Sequence, residues 1–305
     1  MTTGVVLGRR GGVLRVHAEG REITATLRGK LKHADDDRVV PGDVVELEPH
    51  PDGATISGIR PRRTVLARRA AGGRRAQPVA ANVDQVVVVV AAKDPDPNPR
   101  MMDRFLVIAE ANHLPPVVVV NKVELDRERA DALARRFAPA GYQVLHTSVK
   151  GAEGLAALRD LLRGRESVFT GPSGVGKSSL LNALEPGLGL RTGEISRKWR
   201  TGRHTTTAAE LVPLAQGGYV VDTPGLREVG TWKLDADGLG ACFPEFREYL
   251  DRCRFDNCRH LAEPECAVRG AAERGAFDAD RLVSYARIYE EVSVPSWSTA
   301  KRRER

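Results

Sequence analysis

The residues best suited to chemistry form a glycine-rich run, Gly171-Pro172-Ser173-Gly174-Val175-Gly176-Lys177-Ser178, with the spacing G-x4-G-K-[ST]. Glycines at those places let backbone N–H groups turn inward around phosphate oxygens, and the amino end of a following helix adds a favourable dipole. Lys177 is placed to reach the β and γ oxygens, Ser178 to ligate Mg²⁺, and Ser179 to open the helix. The β-rich residues Ser167 to Thr170 before the run and the helical pattern from Ser179 to Leu184 after it supply the strand-loop-helix context this chemistry needs.

A second constellation, Cys253, Cys258, His260 and Cys266, has the spacing C-x4-C-x-H-x5-C and offers three thiolates and one imidazole. That donor set suits one closed tetrahedral structural Zn²⁺, with no free position for water. A disulfide with a surface histidine, or redox-sensing thiols, would draw on the same residues. Cys242, between Ala241 and Phe243, stands apart and reads as a small buried side chain.

A phosphate loop alone does not separate ATP from GTP. Asn121-Lys122-Val123-Glu124 follows the apolar run Val117 to Val120 and resembles the N-K-x-D guanine-reading motif of GTPases. A carboxylate there accepts from both the ring N–H and the exocyclic amine of guanine, a donor pair that adenine lacks. The acid is Glu124, one methylene longer than the usual Asp. Thr147-Ser148-Val149 resembles the loop that seats the base, with Val149 where Ala is usual. Asp222-Thr223-Pro224-Gly225 matches D-x-x-G, in which Asp222 backs the Mg²⁺ and the Gly225 N–H meets the γ-phosphate. Within Gly202 to Thr207, Thr206 or a neighbour one position away completes the magnesium shell.

The base-reading elements precede the phosphate loop here, the reverse of the usual order. Circular permutation accounts for that at little cost, since domain termini often lie close together. It also makes D-x-x-G lead straight into the carboxyl-terminal segment, a direct route for switch movement. Many small GTPases place Gln after D-x-x-G to orient water, but that position is Leu226, so slow intrinsic turnover is expected. His204 is the candidate catalytic replacement, its alternative being contact with RNA or packing. Around it, Arg191, Arg197, Lys198, Arg200 and Arg203 face a single acid, Glu194, and form either a phosphate contact or a solvated loop.

The elements that must hold these groups are legible in the pattern. Short β-rich runs separated by Gly, Asp and Pro turns over residues 4 to 60 fit a five-stranded barrel of the OB type, either RNA-binding or structural. Arg68 to Arg75 reads as a basic linker or loop. Strands then alternate with helices from Val86 to Thr170, which predicts a parallel α/β sheet. After about residue 230 the strands stop, and the Cys/His segment leads into an amphipathic helix near Asp280 to Val292. The expected division is 1–65, 66–230 and 231–305: an OB-like barrel, a circularly permuted P-loop GTPase domain and a helical zinc-binding domain. At 305 residues with 41% hydrophobic and 29% charged, the composition is that of a globular protein. Its longest apolar run is too short to cross a bilayer, so a cytoplasmic protein with no membrane partner is expected. The net charge of +7 fits a polyanionic partner or an Arg-rich bias alike.

Taken together, the chain resembles the ribosome small subunit-dependent GTPase A family (RsgA, also called YjeQ or EngC). The resemblance covers nearly the whole chain through Val40-Pro41-Gly42-Asp43, Ala81-Asn82-Val83-Asp84-Gln85, Asp103-Arg104-Phe105-Leu106, the permuted motifs, and Cys258-Arg259-His260 with Glu263-Pro264-Glu265-Cys266. It implies GTP hydrolysis stimulated by the small ribosomal subunit, contact with its rRNA, late maturation of that subunit, release of assembly factors, and a monomer. An RNA-binding chaperone with negligible hydrolysis and a P-loop ATPase are the competing readings.

Overall fold

A computed structural model of the chain describes residues 2–10, 13–28, 39–51, 53–69, 76–188, 209–222 and 234–293. Period-two alternation builds the amino-terminal barrel: in β2 (Val13–Ala18), Leu14, Val16 and Ala18 point inward while Val13, Arg15 and His17 face outward. With β1 (Thr2–Arg10), β3 (Arg21–Leu27), β4 (Val44–His50) and β5 (Gly53–Ile59), it closes in the order β1-β2-β3-β5-β4. The pair β3/β5 is parallel and the other pairs are antiparallel. This is the five-stranded barrel the turn spacing predicts.

The basic stretch is not simply a linker. Arg68 and Arg69 finish strand β6 (Val65–Arg69), which pairs antiparallel with β7 (Ala76–Ala81); residues 70–75 lie outside the described ones. The ribbon forms because Leu66 and Ala80 bury against the central core, which fixes the strands either side of the arginines.

The central sheet has six strands in the order β10-β9-β8-β11-β13-β12. Five run parallel: β8 (Gln85–Ala91), β9 (Pro116–Asn121), β10 (Gln143–Thr147), β11 (Glu166–Thr170) and β13 (Tyr219–Asp222). The short antiparallel edge strand β12 (Glu210–Pro213) was not expected; four residues ending in proline carry little strand signal. Valines of β8 serve both faces: Val86, Val88 and Val90 pack with α1 (Pro99–Ala111) and α2 (Arg127–Phe137), and Val87 and Val89 with α3 (Leu155–Leu162) and α4 (Lys177–Leu184).

Beyond the sheet, the described residues contain no strand. Two 3₁₀ segments, Gly240–Cys242 and Pro244–Arg252, precede α5 (Ala267–Glu273) and α6 (Ala279–Ser293). Their core is aromatic, with Phe243 stacked on Phe246 at 4.8 Å and Tyr285 edge-on to both. Cys242 is buried there, as its neighbours imply.

Candidate nucleotide and metal sites

In a parallel sheet, functional groups gather at the carboxyl ends of the strands. The motif residues obey this: Asn121 ends β9, Thr147 ends β10, Thr170 precedes the glycine loop, and Asp222 ends β13. Because β9, β8, β11 and β13 are neighbours, a permuted sequence order becomes an ordinary spatial one.

Asn121 is the meeting point. It is 2% exposed; its Nδ2 donates to the Val175 carbonyl at 2.8 Å, and its Oδ1 accepts from Thr147 Oγ1 at 3.1 Å. One amide thus joins the base motif, the base-seating loop and the phosphate loop. The contact demands glycine next door: Gly176 has φ +95°, and a Cβ there would lie 2.3 Å from Asn121 Nδ2. Thr147 is a partner that the motif spacing alone does not single out.

Lys122 adopts the left-handed conformation (φ 60°), turning β9 into a one-turn 3₁₀ helix, Val123–Leu125, and its ammonium donates to the Asp94 carbonyl. Val123 is buried under that turn while Glu124 is exposed on it, open to a ligand. Ser148 is buried; its Oγ accepts from the Gly151 N–H at 2.8 Å, and its backbone exchanges two 3.0 Å bonds with Glu153. That closes the base-seating loop on itself.

In the phosphate loop, Ser173 and Gly174 are exposed while Gly171 and Pro172 are half-buried. Lys177 is buried and donates to the carbonyls of Gly171 (2.8 Å) and Pro172 (2.7 Å), so its ammonium lies across the mouth of the loop. Helix α4 starts at Lys177, earlier than its apolar pattern indicates, which puts Lys177, Ser178 and Ser179 in the first turn, where backbone N–H groups lack helical partners. The Asp222 side chain, Gly225, Thr206, His204 and the basic residues 191–203 lie outside the described atoms.

The second site is assembled in full. The ligand atoms of Cys253, Cys258, His260 and Cys266 all lie within 4.8 Å of one another. Cys253 Sγ is 3.9 Å from Cys266 Sγ, and His260 Nδ1 is 3.5 and 3.4 Å from those sulfurs. Metal bonds of about 2.3 Å to sulfur and 2.0–2.1 Å to nitrogen put tetrahedral ligand atoms roughly 3.5–3.8 Å apart, so the set fits Zn²⁺. Burial pushes the Cys258 thiol up to about 12, raises Cys266, and lowers His260. These surroundings disfavour thiolates without a cation to offset their charge. The Glu263 carboxylate accepts from the N–H groups of Leu261 (2.9 Å), Ala262 (3.1 Å) and Arg259 (3.2 Å), shaping the turn that carries His260.

Comparison with known proteins agrees with this geometry. The family model described as "RsgA GTPase" matches residues 59–232. A "Small ribosomal subunit biogenesis GTPase RsgA" of Gemmatimonas aurantiaca is 50% identical over 299 residues, covering 95% of this chain and 97% of that protein. Its namesake in Moorella thermoacetica is 41% identical, at 95% and 97% coverage. Among solved structures, YjeQ from Thermotoga maritima superposes with a TM-score of 0.78 at 33% identity, covering 96% of this chain and 99% of its own. YloQ, described as a circularly permuted GTPase, gives 0.74 at 31% identity and 96% of each chain. A permuted motif order that folds into one continuous nucleotide edge, flanked by a barrel and a Cys/His module, and matched along almost the entire length, has one explanation: the chain belongs to the RsgA GTPase family.

Proposed function

We propose that this protein binds and hydrolyses GTP, that it does so on the small ribosomal subunit during late maturation, and that the subunit stimulates a slow intrinsic reaction coupled to release of assembly factors. The observation that carries the nucleotide assignment is the Asn121 amide, which ties the base motif to the phosphate loop at 2.8 Å. The names of the relatives support the ribosomal part.

In this reading Glu124 accepts from guanine, Asn121, Lys122, Val123 and Ser148 seat the base, and Gly171 to Ser179 bind the phosphates through their N–H groups and Lys177. Ser178 and Thr206 would hold Mg²⁺, backed by Asp222, and the ion supplies charge neutralisation on the phosphates. Gly225 meets the γ-phosphate, and His204 orients water or takes its proton. Cys253, Cys258, His260 and Cys266 would hold one structural Zn²⁺. The working units are 1–65, 66–230 and 231–305, the first and the basic segment 191–203 contacting rRNA, in a cytoplasmic monomer. Among the described residues no helix is long and apolar enough to cross a membrane.

Nucleotide competition tests the base assignment. Adenine leaves the Glu124 carboxylate unpaired at about 1–3 kcal/mol, so ATP should compete roughly 5- to 150-fold more weakly than GTP. Equal competition by ATP and GTP would remove the assignment.

A further inference from the structure

The switch aspartate is built onto a hairpin that the barrel holds from outside. Strands β12 and β13 pair with Glu210 opposite Asp222 and Pro213 opposite Tyr219. Arg15 and His17, two apart and both on the outward side of β2, reach opposite ends of this hairpin. Arg15 makes a bidentate pair with Glu22 in the barrel (2.6 and 2.9 Å) and extends its third nitrogen to Glu210 Oε2 at 3.6 Å. His17 Nδ1 lies 2.8 Å from the Tyr219 hydroxyl, with the rings edge-on at 5.7 Å. Between these contacts Leu7 of β1, fully buried, belongs to the same apolar cluster as Ala209, Leu211 and Val221. A Cβ on Gly8 would already sit 3.3 Å from Glu210 Cγ, so barrel and hairpin are in close contact there.

We propose that Arg15, Glu210, His17 and Tyr219 are positioning residues for the GTPase reaction: the barrel sets where Asp222 stands, and so tunes hydrolysis without touching nucleotide. The inference rests on the GTP-hydrolysing function proposed above. The argument is geometric. β12 is the edge strand of the sheet, β13 is held by β11 on its other side, and the barrel packs on both strands of this hairpin through Gly8, Leu7 and His17. Packed contacts of this kind shift discretely rather than stretch, so a small displacement of the barrel moves Glu210, and with it the residue paired to it. GDP lacks the γ-phosphate that Gly225, three residues on in the same D-x-x-G element, would meet, so turnover responds to such a shift more than GDP affinity does.

The test compares Arg15→Ala, Glu210→Gln and their combination, with Arg15→Lys as the conservative control, all in the full-length protein. Each first variant should lower kcat for GTP by about three- to tenfold, the usual scale of coupling through residues that contact neither ligand. GDP affinity and thermal midpoint should stay at their unmodified values. The double variant should be no slower than the slower single, and Arg15→Lys should recover most of the rate. Additive losses, unchanged kcat, or equal weakening of GDP and GTP binding would overturn the inference. Should Arg15→Ala fold poorly, Glu210→Gln decides alone, since it keeps size and shape. If the unmodified protein hydrolyses no GTP even with small ribosomal subunits present, the parent reading fails; turnover that ignores these variants fails only this one.

Discussion

The nucleotide domain carries the barrel on one flank and the Cys/His module on the other, and the two attachments use different physics. On the barrel side the contacts are backbone-precise: the Ala81 N–H donates to Pro41 O at 2.9 Å, Asn82 Nδ2 donates to Gly42 O at 2.7 Å, and the Arg63 N–H donates to Asn82 Oδ1 at 2.8 Å. Within the barrel unit beside that joint, Asp43 is fully buried and accepts a two-nitrogen fork from Arg62. On the module side, beside the apolar Val107 and exposed pairs such as Arg247–Glu110, charges are taken out of water. Asp103 of α1 is fully buried between Arg281 of α6 (2.7 Å) and Arg136 of α2 (2.9 Å), and Arg281 also forks onto Glu245 while lying over the Phe243 ring at 4.7 Å. A backbone-fitted joint fixes position closely and tolerates little added volume. A buried charge network loses most when one member goes, because the remaining charge is left buried and unpaired. The barrel is therefore suited to set geometry at the β12/β13 hairpin, and the module to stay docked through its buried charges.

The largest expected effect breaks the module alone. Structural zinc in small sites contributes apparent binding energies of about 10–16 kcal/mol, which is folding energy. Chelation, or Cys258→Ser, should remove one zinc per chain and unfold the module, seen by metal analysis and loss of its near-ultraviolet aromatic signal, while the barrel keeps its strand signal. Protein purified without chelator that carries no stoichiometric zinc would contradict this.

Next, Arg281→Met should cost roughly 3–5 kcal/mol in denaturant unfolding, because it leaves the buried Glu245 without its cation and Asp103 with Arg136 alone. A loss below about 1 kcal/mol, the scale of an exposed pair, would show that the network is solvated in solution.

On the opposite flank, Gly42→Ala should cost roughly 1–3 kcal/mol in backbone strain, since Gly42 sits at φ +88° and its Cβ would meet Ala81 O at 2.0 Å. The loss should come with a slower GTP turnover that Arg281→Met does not share. Equal turnover losses in both variants would erase the distinction between the flanks.

The smallest effect is in pH dependence at the barrel joint. Burial, then the Asp84 charge, pushes the Glu166 carboxyl from 4.5 up to about 8, and its Oε2 is buried without a partner among the described residues. The folded state therefore binds more protons than the unfolded chain between those values, so stability should fall as pH rises from about 4.5 to about 8 and level off above. Glu166→Gln should flatten that part of the melting profile. An unchanged profile would place the carboxyl in water.

Much of this was readable in the residues. The barrel strands declare themselves by alternation, β8 by continuous valine, and the Cys/His site by spacing that needs no tertiary context. The phosphate loop and Asn121 are legible as motifs, yet their direct contact is a fact of sheet order. What stayed hidden depends on distant partners. Arg281 and Asp103 are 178 residues apart, and an isolated arginine in an amphipathic helix looks like any solvated one. The β6/β7 ribbon was masked by an Arg-Ala-Gly run with no period, and β12 by its brevity. Arg15 and His17 carry the ordinary outward pattern of a barrel strand; only docking gives them a hairpin to hold.

GTP turnover measured with and without small ribosomal subunits, with ATP in parallel, addresses the central claim directly. Slow hydrolysis of GTP alone, strong acceleration by the subunit, and no comparable response with ATP are the expected result. His204→Ala should bind GTP and subunits yet lose most of the acceleration. A protein that binds GTP and subunits normally but shows no acceleration would contradict the account and leave GTP as an ordering ligand only.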